Sequence, residues 1–461
     1  MSGPLTRRGG VPGRPSAFLG NRSWFAMVIV LSLLLAACRA GSEEDGDAPP
    51  GAGEPSAGAS VAAASIAPPE AEVTLEFWTP FTGPDGPFMQ EMVDQFNEEG
   101  TTITVEMQTL PDYYTEVNTA AQAGTLPQVG IMHLDQIPLN AENALITPVA
   151  DLTAALGLSG DDFTEAVWNG TFWKGEQYGI PLDIHPFSMY WNKAAFEEAG
   201  LDPETPPEGE DGLREALAAL NEAGYTGPAW SNHGFGAGNT WASLFYQAGG
   251  QWTNEDFTEA LWNDDAGMQA LEYMKSLVDE GLHPADVEID AEINAFLAGD
   301  SGLIFTGPWQ TTRLAEALGD DLGAGPFPQV FGEGVWAGSH TLAVFEGVSE
   351  EERQAAYYFI DWLTGHATEW GNAGMPAARA SVRESEEFQQ IPYIPVIAEQ
   401  VPAAQFFPPI PEGFNLLYGE GGATEAVVSV LVGDQEPQAA LDASVERYTQ
   451  LLQELKEQYG Y

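Results

Sequence analysis

The 461-residue chain reads as an α/β protein built from two lobes. Its length exceeds what one ordinary hydrophobic core organises, so two lobes are expected. From Val73 onward, short apolar runs of strand character alternate with amphipathic stretches of helical period. That order builds a sheet flanked by helices. A second passage of this kind opens near Tyr178 and starts another lobe.

The elements before Val73 are an address and a tether. Arg7, Arg8, Arg14 and Arg22 form a basic leader, followed by the apolar run WFAMVIVLSLLL over 24–35. Twelve residues are too few for a bilayer span, which needs about 20, but they suit the core of a signal peptide over 1–37. The pair Arg7-Arg8 lies far from the apolar run, which favours ordinary secretion over twin-arginine export. The run ends in Leu35-Ala36-Ala37-Cys38, which resembles a bacterial lipobox and implies lipidation of Cys38. Cys38 is the sole cysteine, so no intrachain disulfide can form. Residues 39–72 are rich in Ala, Gly, Pro and Ser without apolar periodicity. With Cys38 they read as a flexible tether over 38–72, reaching roughly 30 Å as a random coil.

The ordered pattern follows. VTLEFWT (73–79), TTITVEMQTL (101–110) and QVGIMHL (128–134) read as strands, with helices over 87–100 and 113–124 between them. In the second passage, helices are expected over about 211–224, 240–249 and 266–281. Residues 294–309, NAFLAGDSGLIFTGPW, divide into a helix tail, a strand and a turn. Gly299 stands where a helix end favours positive φ, and Gly307-Pro308 stops the strand. A helix is then expected from Trp309 to about Leu318. GVWAGSHTLAVF (334–345) reads as one strand, EEERQAAYYFIDWLTG (350–365) as a helix, and 437–460 as a long amphipathic helix.

Composition excludes several classes. Lys and Arg total 15 against 69 Asp and Glu, yet charged residues make up only 18% of the chain. The imbalance therefore reflects scarce basic residues more than an acidic tail. Removal of the leader would leave 11 basic and 69 acidic residues, a net charge of −58. Such a surface repels nucleic acid and anionic headgroups, so no nucleic-acid partner is expected, and membrane contact only through the lipid. The six histidines (133, 185, 233, 283, 340, 366) show no paired ligand spacing, and there is no nucleophile elbow or phosphate loop. Asp286, Glu288, Asp290 and Glu292 alternate like calcium ligands, but the loop lacks the central glycine and final bidentate glutamate. An acidic helix start is the better reading. No enzyme activity, cofactor or metal is expected.

Aromatics at turns carry more information. Trp78, Phe81 and Asp85 follow the first strand, Asp135 follows the third, and Trp309 follows the strand near 302–305. Ligands of open α/β sheets bind beyond the carboxyl ends of strands. Flat aromatics beside acceptors suit a sugar, whose C–H face stacks while carboxylates take its hydroxyl protons. Trp241, Trp252 and Trp262 read instead as packing.

These residues carry a resemblance. Phe296, Gly299 and Phe305-Thr306-Gly307-Pro308-Trp309, with Tyr178-Gly179-Ile180-Pro181, Tyr190-Trp191-Asn192-Lys193, Gln247-Ala248-Gly249-Gly250 and Met375-Pro376-Ala377-Ala378-Arg379, are similar to motifs of the family 1 extracellular solute-binding proteins. These serve bacterial ABC importers, and maltose-binding protein is one of the group. The match runs from about 73 to 455. It implies a two-lobe periplasmic-binding-protein-like (type II) α/β fold, each lobe a mixed sheet flanked by helices, with the ligand in the cleft between them. The implied lobes are 73–183 plus 338–384 and 186–335 plus 386–461, with crossings near Asp183–Pro186, Gly334–Gly338 and Arg383–Glu387.

The implied function is a monomeric, lipid-anchored receptor at the outer face of the cytoplasmic membrane. It would capture a carbohydrate by lobe closure and deliver it to the transmembrane subunits of an ABC permease. The implied ligand contacts are Trp78, Phe81, Asp85, Asp135 and Trp309, with His185, His340 and Arg379 added from their places at the crossings and the late proline loop. Arg379 has a strong rival role in pairing with a carboxylate. A polyol or glycerol-phosphodiester ligand is the alternative among binding proteins, and a secreted glycoside hydrolase the alternative from another class. The family's tryptophan after the late Ile-Pro falls here near Phe414–Tyr418, closest to Leu417, and its aromatic before the 240–249 helix falls near Gly238.

Overall fold

The computed structural model describes residues 66–461; the leader, Cys38 and most of the tether lie outside them. The first sheet has five strands in the order Ile103–Thr109, Val73–Thr79, Val129–His133, His340–Val344, Ile180–Pro181. The first three are parallel, and His340–Val344 returns antiparallel with His340 opposite His133. This is the β-α-β-α-β order expected from the sequence. The central strands Val129–His133 and His340–Val344 are covered on both faces and buried along almost their whole length, whereas Val73–Thr79 and Ile103–Thr109 alternate buried and more exposed positions. One face packs Leu75 and Phe77 against the helices Gly86–Glu98 and Glu350–Gly365, with Phe77 and Phe359 rings 5.2 Å apart. The other packs Met132 and Ala343 against the helix Tyr113–Ala123 through Tyr113 and Val117. Glu350–Gly365 starts in a capping box: Ser349 Oγ accepts from Glu352 N–H at 3.2 Å, and Glu352 Oε2 accepts from Ser349 N–H at 2.8 Å. A cap of this kind is worth about 1 kcal/mol.

A second core surrounds an antiparallel sheet in the order Leu322–Pro326, Ser188–Asn192, Leu303–Thr306. Trp230, Trp241, Trp262 and Phe305 are fully buried there. The helix Pro437–Tyr459 closes this core with Leu441, Val445, Tyr448, Leu452 and Leu455, a spacing of three and four that keeps them on one face. Observed helices Gly209–Ala223, Gly234–Gln247 and Asp265–Asp279 match the expected ones in number and order. Gly234–Gln247 begins earlier than its sequence suggested. Ala291–Ala298 ends on Gly299 at φ 81°. Among the described residues no helix is long and apolar enough to cross a membrane.

The expected single strand over 334–345 is two strands in different sheets. Val335–Gly338 pairs with His185–Pro186 and Ala404–Gln405, whereas His340–Val344 belongs to the first sheet. The break falls at Ser339, where the chain leaves one core for the other. The polar residues Ser339-His340-Thr341 sit at the change, but both halves have strand character and are buried, so the pattern reads as one strand. Two crossings thus run side by side. A third segment joins them: Ile184 N–H donates to Pro376 O at 2.9 Å and Ala378 N–H to Leu182 O at 3.1 Å. The Gln247 side chain fixes the approach to the second crossing. It donates to the carbonyls of Pro328 and Gly334 at 2.8 and 3.1 Å and accepts from Val330 and Phe331 N–H at 2.8 and 3.1 Å.

Candidate ligand-binding cleft

Where the crossings meet, Asp183 is fully buried and its carboxylate takes four N–H bonds. Oδ1 accepts from His185 Nδ1 at 3.1 Å and from the His340 backbone at 3.0 Å. Oδ2 accepts from His340 Nδ1 at 2.8 Å and from Trp370 Nε1 at 2.7 Å. Burial alone would raise this carboxyl, but the charge of His340 and the bonds from both histidines outweigh it and hold it far below the ordinary range. Asp183, His185 and His340 offer three metal-ligating atoms within 4.8 Å of one another. Both histidine Nδ1 atoms donate to the carboxylate, which the His340 backbone and the Trp370 indole also hold, so the arrangement is a hydrogen-bonded buried anion.

Above this anchor lies a cavity of about 1060 Å³, walled by loops from both cores. His133, His185 and His340 line it, with His340 4.9 Å from His133 and 4.4 Å from His185 between ring centres. Burial, then the charge of His340, lowers both His133 and His185 below the usual histidine range. Tyr114 Oη accepts from His133 N–H at 2.9 Å and is hydrogen-bonded to His133 Nδ1 at 2.6 Å.

Trp309 sits on the 3₁₀ turn Pro308–Gln310 that ends the strand Leu303–Thr306. Its half-buried ring packs against both cores and meets His185 edge-on at 5.8 Å. A Cβ on Gly307 would fall 1.9 Å from the indole, so glycine is required for the ring to fold back over the strand end. Thr311, just after the turn, is tied to the second core by a 2.7 Å bond with Tyr190 Oη.

Of the residues singled out from sequence, Phe81, Asp85, Asp135, His185, Trp309 and His340 line this one cavity. Phe81 is buried, with its ring 4.9 Å from His340 and 5.0 Å from Trp370. Trp78 is outside the lining; it points to the opposite face of its strand and packs beside the Tyr113 cluster. Arg379 is also outside, with Nε bonded to Asp162 Oδ2 at 2.7 Å. Leu417 is buried in the second core, while Phe414 and Asn415 face the cavity. Trp241 and Trp262 are core, but Trp252 reaches the cavity wall.

Sequence reasoning missed Tyr113, Tyr114, Phe235, Tyr246, Trp336 and Phe407 in the lining. Phe235 had a signal: it is the aromatic at the start of the Gly234–Gln247 helix, and it stands 56% exposed at the cleft.

The electrostatics are one-sided. Among the described residues no Lys or Arg lines the cavity, whereas Asp85, Asp135 and Glu412 do. Asp85 and Asp135 each keep a buried Oδ1 without a hydrogen-bond partner. Burial pushes Asp135 up to about 7 despite bonds from its own backbone and Gln136, and raises Asp85 against the charge of His340. Burial likewise raises Glu412.

A family model described as bacterial extracellular solute-binding protein matches residues 91–396. The sn-glycerol-3-phosphate-binding periplasmic protein UgpB of Escherichia coli (strain K12) is 24% identical over 421 residues, covering 83% of this chain and 93% of UgpB. Among solved structures, the cyclic alpha-maltosyl-1,6-maltose binding protein from Arthrobacter globiformis aligns with TM-score 0.69 and 24% identity, covering 83% of this chain and all of that one. The GacH receptor of Streptomyces glaucescens, solved unliganded and with acarbose, aligns with TM-score 0.72 and 21% identity over 83% of this chain and 99% of its own.

Proposed function

The chain belongs to the bacterial extracellular solute-binding proteins, and from that membership we propose that it captures a carbohydrate for an ABC importer by closing two lobes over it. In this reading 73–183 with 338–384 form one lobe, and 186–335 with 386–461 the other. The observation that carries the carbohydrate is the cleft wall itself. A half-buried indole, Trp309, rests against both cores beside acceptor carboxylates, Asp85 and Asp135. A sugar offers an apolar ring face to the first and hydroxyl protons to the second. Phe81, His185 and His340 complete the contacts.

The relative UgpB is named for sn-glycerol-3-phosphate, which would place a phosphate in a similar cleft. Arg and Lys are the side chains that most strongly hold a phosphate, and a lining with carboxylates and, among the described residues, no Lys or Arg favours the sugar. Delivery to permease subunits follows from the family role. Cys38 and the 39–72 tether would hold the receptor, as a monomer, at the outer face of the membrane.

A thermal-shift screen of neutral mono- and oligosaccharides tests the reading, with sn-glycerol 3-phosphate and glycerophosphocholine as the counter-panel. A ligand at 100 times its Kd adds about 2.7 kcal/mol of stability, which the melting temperature registers. Stabilisation by the phosphates and by no sugar would overturn the carbohydrate assignment. Turnover of a bound glycoside would overturn the receptor assignment.

A further inference from the structure

We infer that the captured carbohydrate carries a protonated amine, met in the cleft by the carboxylates of Asp85 and Asp135. This deepens the carbohydrate reading above and rests on it. The formal charges support it: Asp85, Asp135 and Glu412 face the cavity, and among the described residues no Lys or Arg does. The histidines add little positive charge, since His133 and His185 are held neutral and His340 is spent on the Asp183 anion.

The unpartnered atoms point the same way. Asp85 is 6% exposed, lies in the cavity lining, and has an Oδ1 with no donor; Asp135 Oδ1 is likewise unpaired. Lobe closure would strip the remaining water from both. An ionised carboxylate left without a cation in such a place costs several kcal/mol, which is why burial raises both carboxyls; an ammonium beside them would hold them ionised. A neutral hydroxyl offers one proton and no charge, whereas an ammonium offers three protons and the missing charge. Phe81, Tyr113, Tyr114, Trp309 and Trp336, which share the lining, supply ring faces that also attract a cation. An N-acetylated sugar has lost the charge, so it should behave as a neutral one.

The experiment titrates the receptor by calorimetry with matched pairs: glucosamine and glucose, galactosamine and galactose, and chito-oligosaccharides against cello-oligosaccharides, with N-acetylglucosamine as the uncharged amide. The expected result is at least one amino sugar bound tenfold or more tighter than its neutral partner at low salt. That preference should fall below threefold in 1 M NaCl and in the Asp85→Asn, Asp135→Asn double variant. The variant's melting temperature and far-ultraviolet circular dichroism verify that it is folded. Neutral sugars binding as tightly as amino sugars in every pair would overturn the amine and leave the carbohydrate reading standing. No binding in either series would remove both. A preference that survives in the double variant would overturn the assignment to these two carboxylates.

Discussion

Asp183 and His340, 157 positions apart in the chain, are joined by two hydrogen bonds, from the His340 backbone at 3.0 Å and from its Nδ1 at 2.8 Å. The two residues belong to different crossings, so the pair fastens the first to the second. Trp370 brings the third chain segment to the same carboxylate. The floor of the cleft is thus one buried anion, and the mutual position of the crossings depends on it.

Asp183→Asn should therefore be severely destabilising although nearly isosteric. Oδ1 faces the His340 N–H and Oδ2 faces the Trp370 indole N–H, and neither donor can become an acceptor. Whichever way the amide is turned, its NH₂ meets an N–H. Breaking a buried charge pair of this kind costs about 3–5 kcal/mol, measurable as a lower midpoint of chemical denaturation. The folded carboxyl lies below its unfolded value of about 3.9. Its contribution is present above about pH 4 and is lost as pH falls further. Wild type and variant should converge in stability at acid pH; a constant gap down to pH 3 would count against an ionised Asp183.

Asp135 has the opposite sign. With its carboxyl pushed up to about 7, the folded chain holds a proton that the unfolded chain has released between about pH 4 and 7. Its stabilising contribution is full below about pH 4 and declines as pH rises toward 7. Asp135→Asn removes that decline. Melting of the ligand-free proteins between pH 5 and 8 should show the variant gaining on wild type as pH rises. Parallel curves would mean that Asp135 is ionised throughout.

The parts legible in the sequence were those written locally. The β-α-β-α-β order shows in the alternation from Val73, and strand-end positions singled out Phe81, Asp85, Asp135 and Trp309. Trp78 misled because the sheet is covered on both faces, so a period of two cannot tell cleft from core. Asp183 was illegible: beside 68 other acidic residues nothing marks it until segments at 183, 340 and 370 converge. Phe406, Phe407 and Phe414 come from the irregular chain between the strand Ala404–Gln405 and the one-turn helix Asn415–Tyr418, where no period places a side chain.

Cys38 decides location. Mature protein should begin at this residue, carry lipid and sediment with membranes. Cys38→Ser should yield soluble or unprocessed chain that still binds sugar. Mass spectrometry of the mature N-terminus checks both; wild type found soluble with another start would reject the lipobox reading.

Net charge sets a salt response. A chain processed at Cys38 would carry a net charge of −58 and repel itself, and the Debye length shrinks from about 10 Å at 0.1 M to 3 Å at 1 M salt. The melting temperature should rise clearly in molar NaCl, and more than in sucrose, which acts by surface exclusion without screening. Equal rises in the two would assign the effect to exclusion alone.

Trp309 separates binding from packing. Stacking on a sugar would remove about 60 Å² of apolar surface from water, worth on the order of 1.5 kcal/mol at ~25 cal/mol per Å², or roughly tenfold in Kd. Trp309→Ala should weaken sugar binding by at least that factor while costing the ligand-free protein little, because the ring is half-buried between two cores. Trp241→Ala is the contrasting case. That ring is fully buried and stacked 5.0 Å from Phe245, so truncation should cost about 3–5 kcal/mol of stability. Affinity and ligand-free melting temperature measured on both variants set the two roles apart. Unchanged affinity in Trp309→Ala, with a drop in melting temperature like that of Trp241→Ala, would make Trp309 a packing residue.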